Sequence, residues 1–348
     1  MPQPTAIAQI YVLLPGLQGR AWQSGGLLIA RKAAALLQSH LPTQVVTYRD
    51  REPDVPYLAD LLPTLDPHAL LIATWGPHIN ELRGQLAGRR LVYYAQSTGW
   101  PIQLPAPIPI LCLSRYIMAQ WMRAAPYNPL FLLGPVLEPD CCDQGLARDI
   151  DVLFIERKST AYLRDHLVPA LRERGNVHTV RDFIPRAELF QLYNRAQVYL
   201  YSSAPWASGW VEGFGFQPLE ATICGCAVFS NLHGGLADYL DPQLNAFKLE
   251  VYALGYDVER IVARLGAGPL NPPATLAALR ATYSEAAFHA RIDAILPELA
   301  RFFGYAAHHP ADIARLAYVA PVPAWRQQLY RVKQRTTRAL QRRPKGAR

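Results

Sequence analysis

Short runs of consecutive apolar, β-branched or aromatic residues alternate along this chain with stretches whose apolar residues recur every three to four positions. Runs without interior polar residues read as strands buried on both faces, and the longer periodic stretches read as amphipathic helices. In the first half the strand runs are 8–14, 44–48, 69–75, 91–95, 109–113 and 128–134. Between the first two, SGGLLIARKAAALLQSH places Ser24 where an N-cap belongs and continues at helical spacing. The segment GPVLEPDCCDQGLARD (134–149) is rich in turn formers and has no periodicity, which predicts a linker.

A second series follows, with strands at 150–155, 176–180, 196–203, 226–231 and 246–251. LRDHLVPALRERG, PRAELFQLYNRA and QPLEATICGC read as the helices between them, and beyond Leu254 the pattern is mostly helical. Strands alternating with helices predict an α/β chain with two Rossmann-like, doubly wound domains facing a cleft. The expected division is 1–140, 141–310 and a helical segment with a basic tail over 311–348. Ligands of such sheets bind beyond the C-terminal ends of the strands, so the chemistry is expected on loops that follow strands.

Composition narrows this further. With 348 residues the chain is long for one compact domain, and 51% hydrophobic against 18% charged residues suits folded cores. No run approaches the roughly 20 apolar residues of a transmembrane helix. The first apolar run has neither a basic leader nor a small-residue cleavage site, so a cytoplasmic protein is expected. Cys112, Cys141, Cys142, Cys224 and Cys226 fit neither a zinc ribbon nor a two-cysteine redox motif; reduced thiols and no metal are expected.

The net charge of +8 is concentrated at one end. From Trp325 onward nine residues are Lys or Arg and none is acidic, which leaves 8 − 9 = −1 for the rest. A near-neutral body excludes a basic groove, so nucleic acid is not an expected partner. Trp325, Leu329, Val332 and Leu340 fall roughly on one helical face of the tail 325–348. That pattern suits either peripheral contact with the inner face of an anionic membrane or a solvated basic end.

The most informative stretch is WVEGFGFQPLEATICGCAVFSN (210–231). It places Glu212 in a glycine-rich loop entering a helix, Glu220 about two turns into that helix, and a strand behind it. Backbone N–H groups at such a helix entrance can face a phosphate, and the glycines allow its close approach. An ionised carboxylate only accepts hydrogen bonds, which suits it to sugar and ribose hydroxyls. Exposed helix carboxylates are the plain alternative, and the Gly-Phe-Gly entrance with a following strand weighs against it.

Glu212, Gly213, Phe214, Gly215, Leu219, Glu220, Ala221, Gly225 and Cys226 together resemble the signature of retaining glycosyltransferases of the GT-B fold, specifically glycosyltransferase family 4. The resemblance implies a hexosyltransferase-like enzyme of polysaccharide biosynthesis that needs no cofactor or metal and uses a nucleotide-diphosphate-sugar as co-substrate. A saccharide or lipid-linked saccharide would be the acceptor. It implies catalytic roles for Glu212, Arg157 and Lys158, the last two as a diphosphate clamp. Glu220, Gly213, Phe214, Gly215, Gly25, Gly26 and Ser203 would bind the donor. Gln96 lies on the acceptor side, where the family often has a histidine. VLFIERKST departs from the family spacing around its Arg and Lys, and surface ion pairing is the other reading of Arg157 and Lys158.

Asn231, His233, Gly234 and Gly235 end the strand after the signature helix and are expected at the same cleft. Asp149-Ile150-Asp151 has a metal-binding form, but it precedes a strand rather than following one. No Gly-x-Ser-x-Gly, His-Glu-x-x-His or Walker loop occurs, and LLPGLQGRAWQSGG lacks dinucleotide-fingerprint spacing. A non-catalytic nucleotide-sugar-binding or scaffold subunit of the same fold is the alternative, kept open by Gln96 and by the Glu156-Arg157-Lys158 sequence.

Overall fold

The computed structural model of the chain describes residues 6–18, 22, 24–97, 102, 104–157, 159–203 and 211–309. Lys158 and the basic tail 325–348 lie outside the described residues. The first half carries β1 (Ile10–Leu14), β2 (Thr43–Thr47), β3 (Leu70–Ala73), β4 (Arg90–Ala95), β5 (Ile110–Cys112) and β6 (Leu130–Leu132). The second carries β7 (Ile150–Ile155), β8 (Val177–Val180), β9 (Ala196–Tyr201), β10 (Ala227–Ser230) and β11 (Phe247–Lys248). The helices are α1 (Gly25–Leu37), α2 (Leu58–Leu61), α3 (Ile79–Gln85), α4 (Arg115–Ala124), α5 (Val168–Arg172), α6 (Arg186–Arg195), α7 (Phe216–Ile223), α8 (Leu254–Val262), α9 (Pro273–Thr282) and α10 (Glu285–Ala306).

Each sheet is parallel throughout, with order β2-β1-β3-β4-β5-β6 in the first and β11-β10-β9-β7-β8 in the second. Every residue of β1, β3, β4, β5 and β10 is buried, which is why those strands read as unbroken apolar runs. Strand order reverses between β1 and β3 and again between β7 and β9, leaving a crevice at the C-terminal end of each sheet. Helix α1, which the diglycine opens, follows β1, and the signature follows β9, so both lie at those ends.

The two halves share one apolar seam. Leu27 of α1, Val136 and Leu137 of the crossing segment, Phe214 and Leu219 of the signature, and Phe288 and Ile292 of α10 lie in a single buried cluster. The segment expected to be a linker is therefore partly core, and the described residues up to Tyr305 form one compact unit. Helix α10 returns to the first half: Arg291 Nη1 donates to Leu133 O at 3.2 Å, Asp293 pairs with His40 at 3.0 Å and Glu285 with Lys32 at 3.4 Å. Among the described residues no helix is long and apolar enough to cross a membrane.

Candidate active site

The signature loop, residues 211–215, runs into α7 through Gly215, whose φ of +80° lies in the left-handed region where a side chain is strained. A Cβ there would also come within 2.5 Å of Leu236 Cδ2. Phe214 anchors the loop by inserting into a ring cluster, with centroids 5.3 Å from Phe216, 5.2 Å from Tyr239 and 5.1 Å from Tyr283. Glu212 Oε1 accepts from the Tyr201 hydroxyl at 3.0 Å, and its carbonyl accepts from Gly235 N–H at 2.9 Å. Both contacts fix the Glu212 backbone and carboxylate before any ligand arrives.

Gly213 is the meeting point of three backbones. A Cβ on it would lie 2.2 Å from Gln96 O, and one on Gly235 would lie 2.1 Å from Gly213 O. Its carbonyl also accepts from Ser114 Oγ at 2.6 Å. Ser114 is the N-cap of α4, accepting from Ile117 N–H at 3.0 Å. Asp238 reaches across to the same helix end, where Oδ2 accepts from Arg115 N–H at 2.6 Å and Oδ1 from Tyr116 N–H at 3.2 Å. Otherwise unpaired first-turn N–H groups of the first half are thus capped from the second.

On the opposite wall the diglycine opens α1 rather than forming a loop of its own. Ser24 Oγ accepts from Leu27 N–H at 3.4 Å, as the sequence predicts for an N-cap. A Cβ on Gly26 would meet Gln96 Oε1 at 2.7 Å. Gln96, which follows β4, therefore has its side chain against Gly26 and its carbonyl against Gly213, bringing together residues singled out in both halves. Its Nε2 is buried and has no partner among the described residues.

Behind the signature loop, Ser203 Oγ lies 2.9 Å from His233 Nε2, and Asn231 Nδ2 donates to Ser203 O at 2.7 Å. A proton on His233 Nε2 would also serve Ser203 O at 3.3 Å and leave Nδ1 as an acceptor. Burial lowers the His233 pKa from its ordinary value, outweighing hydrogen bonding to Ser203 and the charge of Glu212. Among the described residues Ser202 Oγ, Asn231 Oδ1, His233 Nδ1 and Glu220 Oε2 are buried without partners, as is Gln96 Nε2. Buried polar atoms left unpaired cost about 1–3 kcal/mol each. These five lie on strand-end loops and α7, on elements that border the signature loop.

Glu220 differs from the sequence expectation in placement. Instead of lying about two turns into its helix, it follows the α7 start at Phe216 by just over one turn, and it is 0% exposed. Its Oε1 accepts from Arg186 Nη2. Burial pushes its carboxyl above the ordinary range, and the Arg186 charge and hydrogen bond pull it back. Arg186 opens α6 and borders a cavity of about 220 Å³ whose other walls include Gly25, Lys32, Tyr94 and Phe216.

Arg157, just past β7, is exposed and has no ion-pair partner among the described residues; neighbouring Glu156 pairs with Arg181 at 3.1 Å. Asp149 and Asp151 sit at the other end of that strand. Asp149 pairs with Arg195, and Asp151 accepts from Asn176 N–H at 2.9 Å and Gln197 Nε2 at 3.0 Å. The sequence pattern alone did not single out Ser114, Asp238 or Arg186. Ser114 between a strand and a helix is a legible cap, but its partner lies 99 positions away.

Residues 170–263, which contain the whole signature, match the family profile of glycosyl transferases group 1. The structure resembles a glycosyltransferase from Rickettsia africae ESF-5, with a TM-score of 0.59, 12% identity, and coverage of 84% of this chain and 98% of that one. It also resembles sucrose-phosphate synthase from Thermosynechococcus elongatus (TM-score 0.58, 14% identity, 84% and 99% covered). A third similar structure is Anabaena HepE in complex with UDP (0.55, 17%, 84% and 100%). Identities this low establish the fold alone. No curated protein matches the chain in sequence.

Fold and family match together define a glycosyltransferase of GT-B architecture. Within that class, its signature segment is that of the group 1 enzymes.

Proposed function

We propose that this chain is a retaining, metal-independent glycosyltransferase that moves a sugar from a nucleotide-diphosphate-sugar to a saccharide or lipid-linked saccharide, as in family 4. The observation that carries this reading is the junction at Gln96, where the diglycine helix and the Glu212 loop converge from opposite halves beside unpaired buried polar atoms. Glu212 would receive hydroxyls of the transferred sugar and Glu220 those of the ribose. Arg157 and Lys158 would hold the diphosphate, with Ser203 and the first turn of α1 nearby.

In the transfer, the bond between the anomeric carbon and the phosphate oxygen breaks with its electron pair leaving on the phosphate. The acceptor hydroxyl forms the new bond on the same face, and its proton passes to the departing phosphate oxygen. No protein base is required, which suits a neutral Gln96 at this point. The protein supplies position and fixed charge as the leaving group becomes more negative. The same chemistry suits a cytoplasmic enzyme of polysaccharide synthesis, with the tail 325–348 as an inner-membrane contact. A nucleotide-sugar-binding subunit without turnover is the second reading, favoured by the same uncharged Gln96.

The test is calorimetric titration with UDP, GDP, ADP and their common sugar conjugates, with and without EDTA, on the wild-type chain and Glu220→Ala. HepE, solved with UDP, makes UDP the first choice. Binding that survives EDTA and is lost in Glu220→Ala supports the donor site, and release of free nucleotide with an acceptor mixture separates enzyme from binding subunit. Binding of none of these nucleotides overturns the reading.

A further inference from the structure

The carboxylate assigned to the ribose is closed off from solvent. Glu220 is wholly buried, with Oε1 held by Arg186 and Oε2 without a partner among the described residues. It can accept two ribose hydroxyls only when ionised, because a neutral carboxyl would present a proton to one of them. Burial favours the neutral form. The surroundings contribute little to oppose that preference. Glu138 on the crossing segment adds a like charge. The ionisation of the Cys141 thiol beside it is suppressed by its hydrogen bond with Cys224 and then by burial, and that of the phenols of Tyr193 on α6, Tyr199 on β9 and Tyr239 beyond β10 chiefly by burial. Arg186 supplies the one cation in this set.

Arg186 is placed to do more than neutralise. Its side chain is 44% exposed, so it can withdraw toward solvent without losing a fully buried position. Its guanidinium stands 5.4 Å from the Phe190 ring on α6 and 6.0 Å from the Phe216 ring on α7, within cation–π reach of both. It also borders the cavity reaching Gly25, and so lies between that space and the carboxylate.

We propose that Arg186 is a positioning residue of the donor site, holding Glu220 ionised while the site is empty and ceding Oε1 to a ribose hydroxyl when the nucleotide enters. The ribose takes both carboxylate oxygens, Oε2 from the outset and Oε1 by exchange, while the displaced guanidinium stays near enough to keep the carboxylate charged. This inference rests on the assignment of Glu220 as the ribose acceptor.

Arg186→Met keeps a stem against Phe190 and Phe216 and removes the charge; Arg186→Lys keeps a charge. The affinity of each for UDP, GDP and ADP is measured by calorimetry from about pH 5.5 to about pH 8.5. In parallel, the protonated-carboxyl infrared band of Glu220, identified by its absence in Glu220→Gln, is followed over the same range. In Arg186→Met the band persists to higher pH than in wild type. Nucleotide affinity falls about tenfold per pH unit below that raised midpoint and recovers at the alkaline end. Arg186→Lys moves both midpoints back toward wild type. Loss of affinity in Arg186→Met that is equal at all pH values, or an unmoved infrared midpoint, overturns the proposal. Failure of the underlying assignment looks different: Glu220→Gln then binds nucleotide as wild type does, or no nucleotide binds the wild-type chain.

Discussion

The carbonyl oxygen of Gln96 lies where Gly213 leaves no room for a Cβ, at 2.2 Å from the position such an atom would take. One oxygen and one missing methyl group set how closely the two halves meet at this junction. Since backbone cannot swing aside as a side-chain tip can, Gly213→Ala must push the signature loop away from β4. Displacement on the order of 1 Å is enough to cost about 100-fold in rate. Turnover should fall by that order while the far-UV spectrum stays that of the wild type; a fully active Gly213→Ala would show that the halves need not meet this closely.

The cap that crosses between the halves makes a separate prediction. Ser114 accepts from Ile117 N–H within its own helix and donates to Gly213 O in the other half, with its side chain buried. Ser114→Ala removes an N-cap and leaves a carbonyl unserved, for a loss of about 1–2 kcal/mol. Ser114→Thr, which retains the hydroxyl, should recover part of it. Denaturant unfolding measures both, and an unchanged midpoint in Ser114→Ala would exclude a contribution from this bond.

Glu212 and Lys158 should separate in kinetics. Glu212 is held by the Tyr201 hydroxyl and is proposed to receive sugar hydroxyls, so Glu212→Gln would exchange charge-assisted hydrogen bonds for neutral ones. Hydrogen bonds to a charged group contribute about 1.5–3 kcal/mol, or roughly 10- to 100-fold in kcat/KM. Lys158→Ala should lower kcat more than donor affinity, because leaving-group charge develops as the bond breaks. Glu220→Ala should do the reverse. Near-wild-type kinetics in all three would remove the signature from the mechanism.

Local order in this fold is legible in the sequence, whereas pairing across the cleft is not. All eleven strands fall on the apolar runs, since parallel strands covered on both faces tolerate few polar residues; β7 spans 150–155 as predicted. Ends were overcalled where apolar residues continue into buried loops: Thr74 lies past β3 yet is buried, its hydroxyl bonded to Leu13 O at 3.1 Å. Glycines 26, 213 and 215 stand out by position in the sequence, but their reason is a neighbour elsewhere in the chain, whereas a Cβ on Gly25 would meet nothing within 4 Å. Arg186 carried no signal, because Pro-Arg-Ala-Glu reads as an ordinary helix start and its partner Glu220 is 34 positions away on another element.

His233 gives a pH dependence whose sign follows from its burial. In the unfolded chain it titrates near its ordinary value of about 6.5, whereas in the folded chain burial holds its pKa lower. As pH falls through about 6.5 the unfolded state therefore takes up a proton that the native state does not, and stability declines. The decline from this residue ends once pH passes below the lowered native value, where both states are protonated. A glutamine keeps a polar side chain facing Ser203 without titrating. The difference in unfolding free energy between wild type and His233→Gln should thus shift in favour of the variant on acidification from about pH 7.5 to about pH 5.5. A difference that stays constant across that range would mean that His233 titrates alike folded and unfolded, and that its buried Nδ1 is open to water.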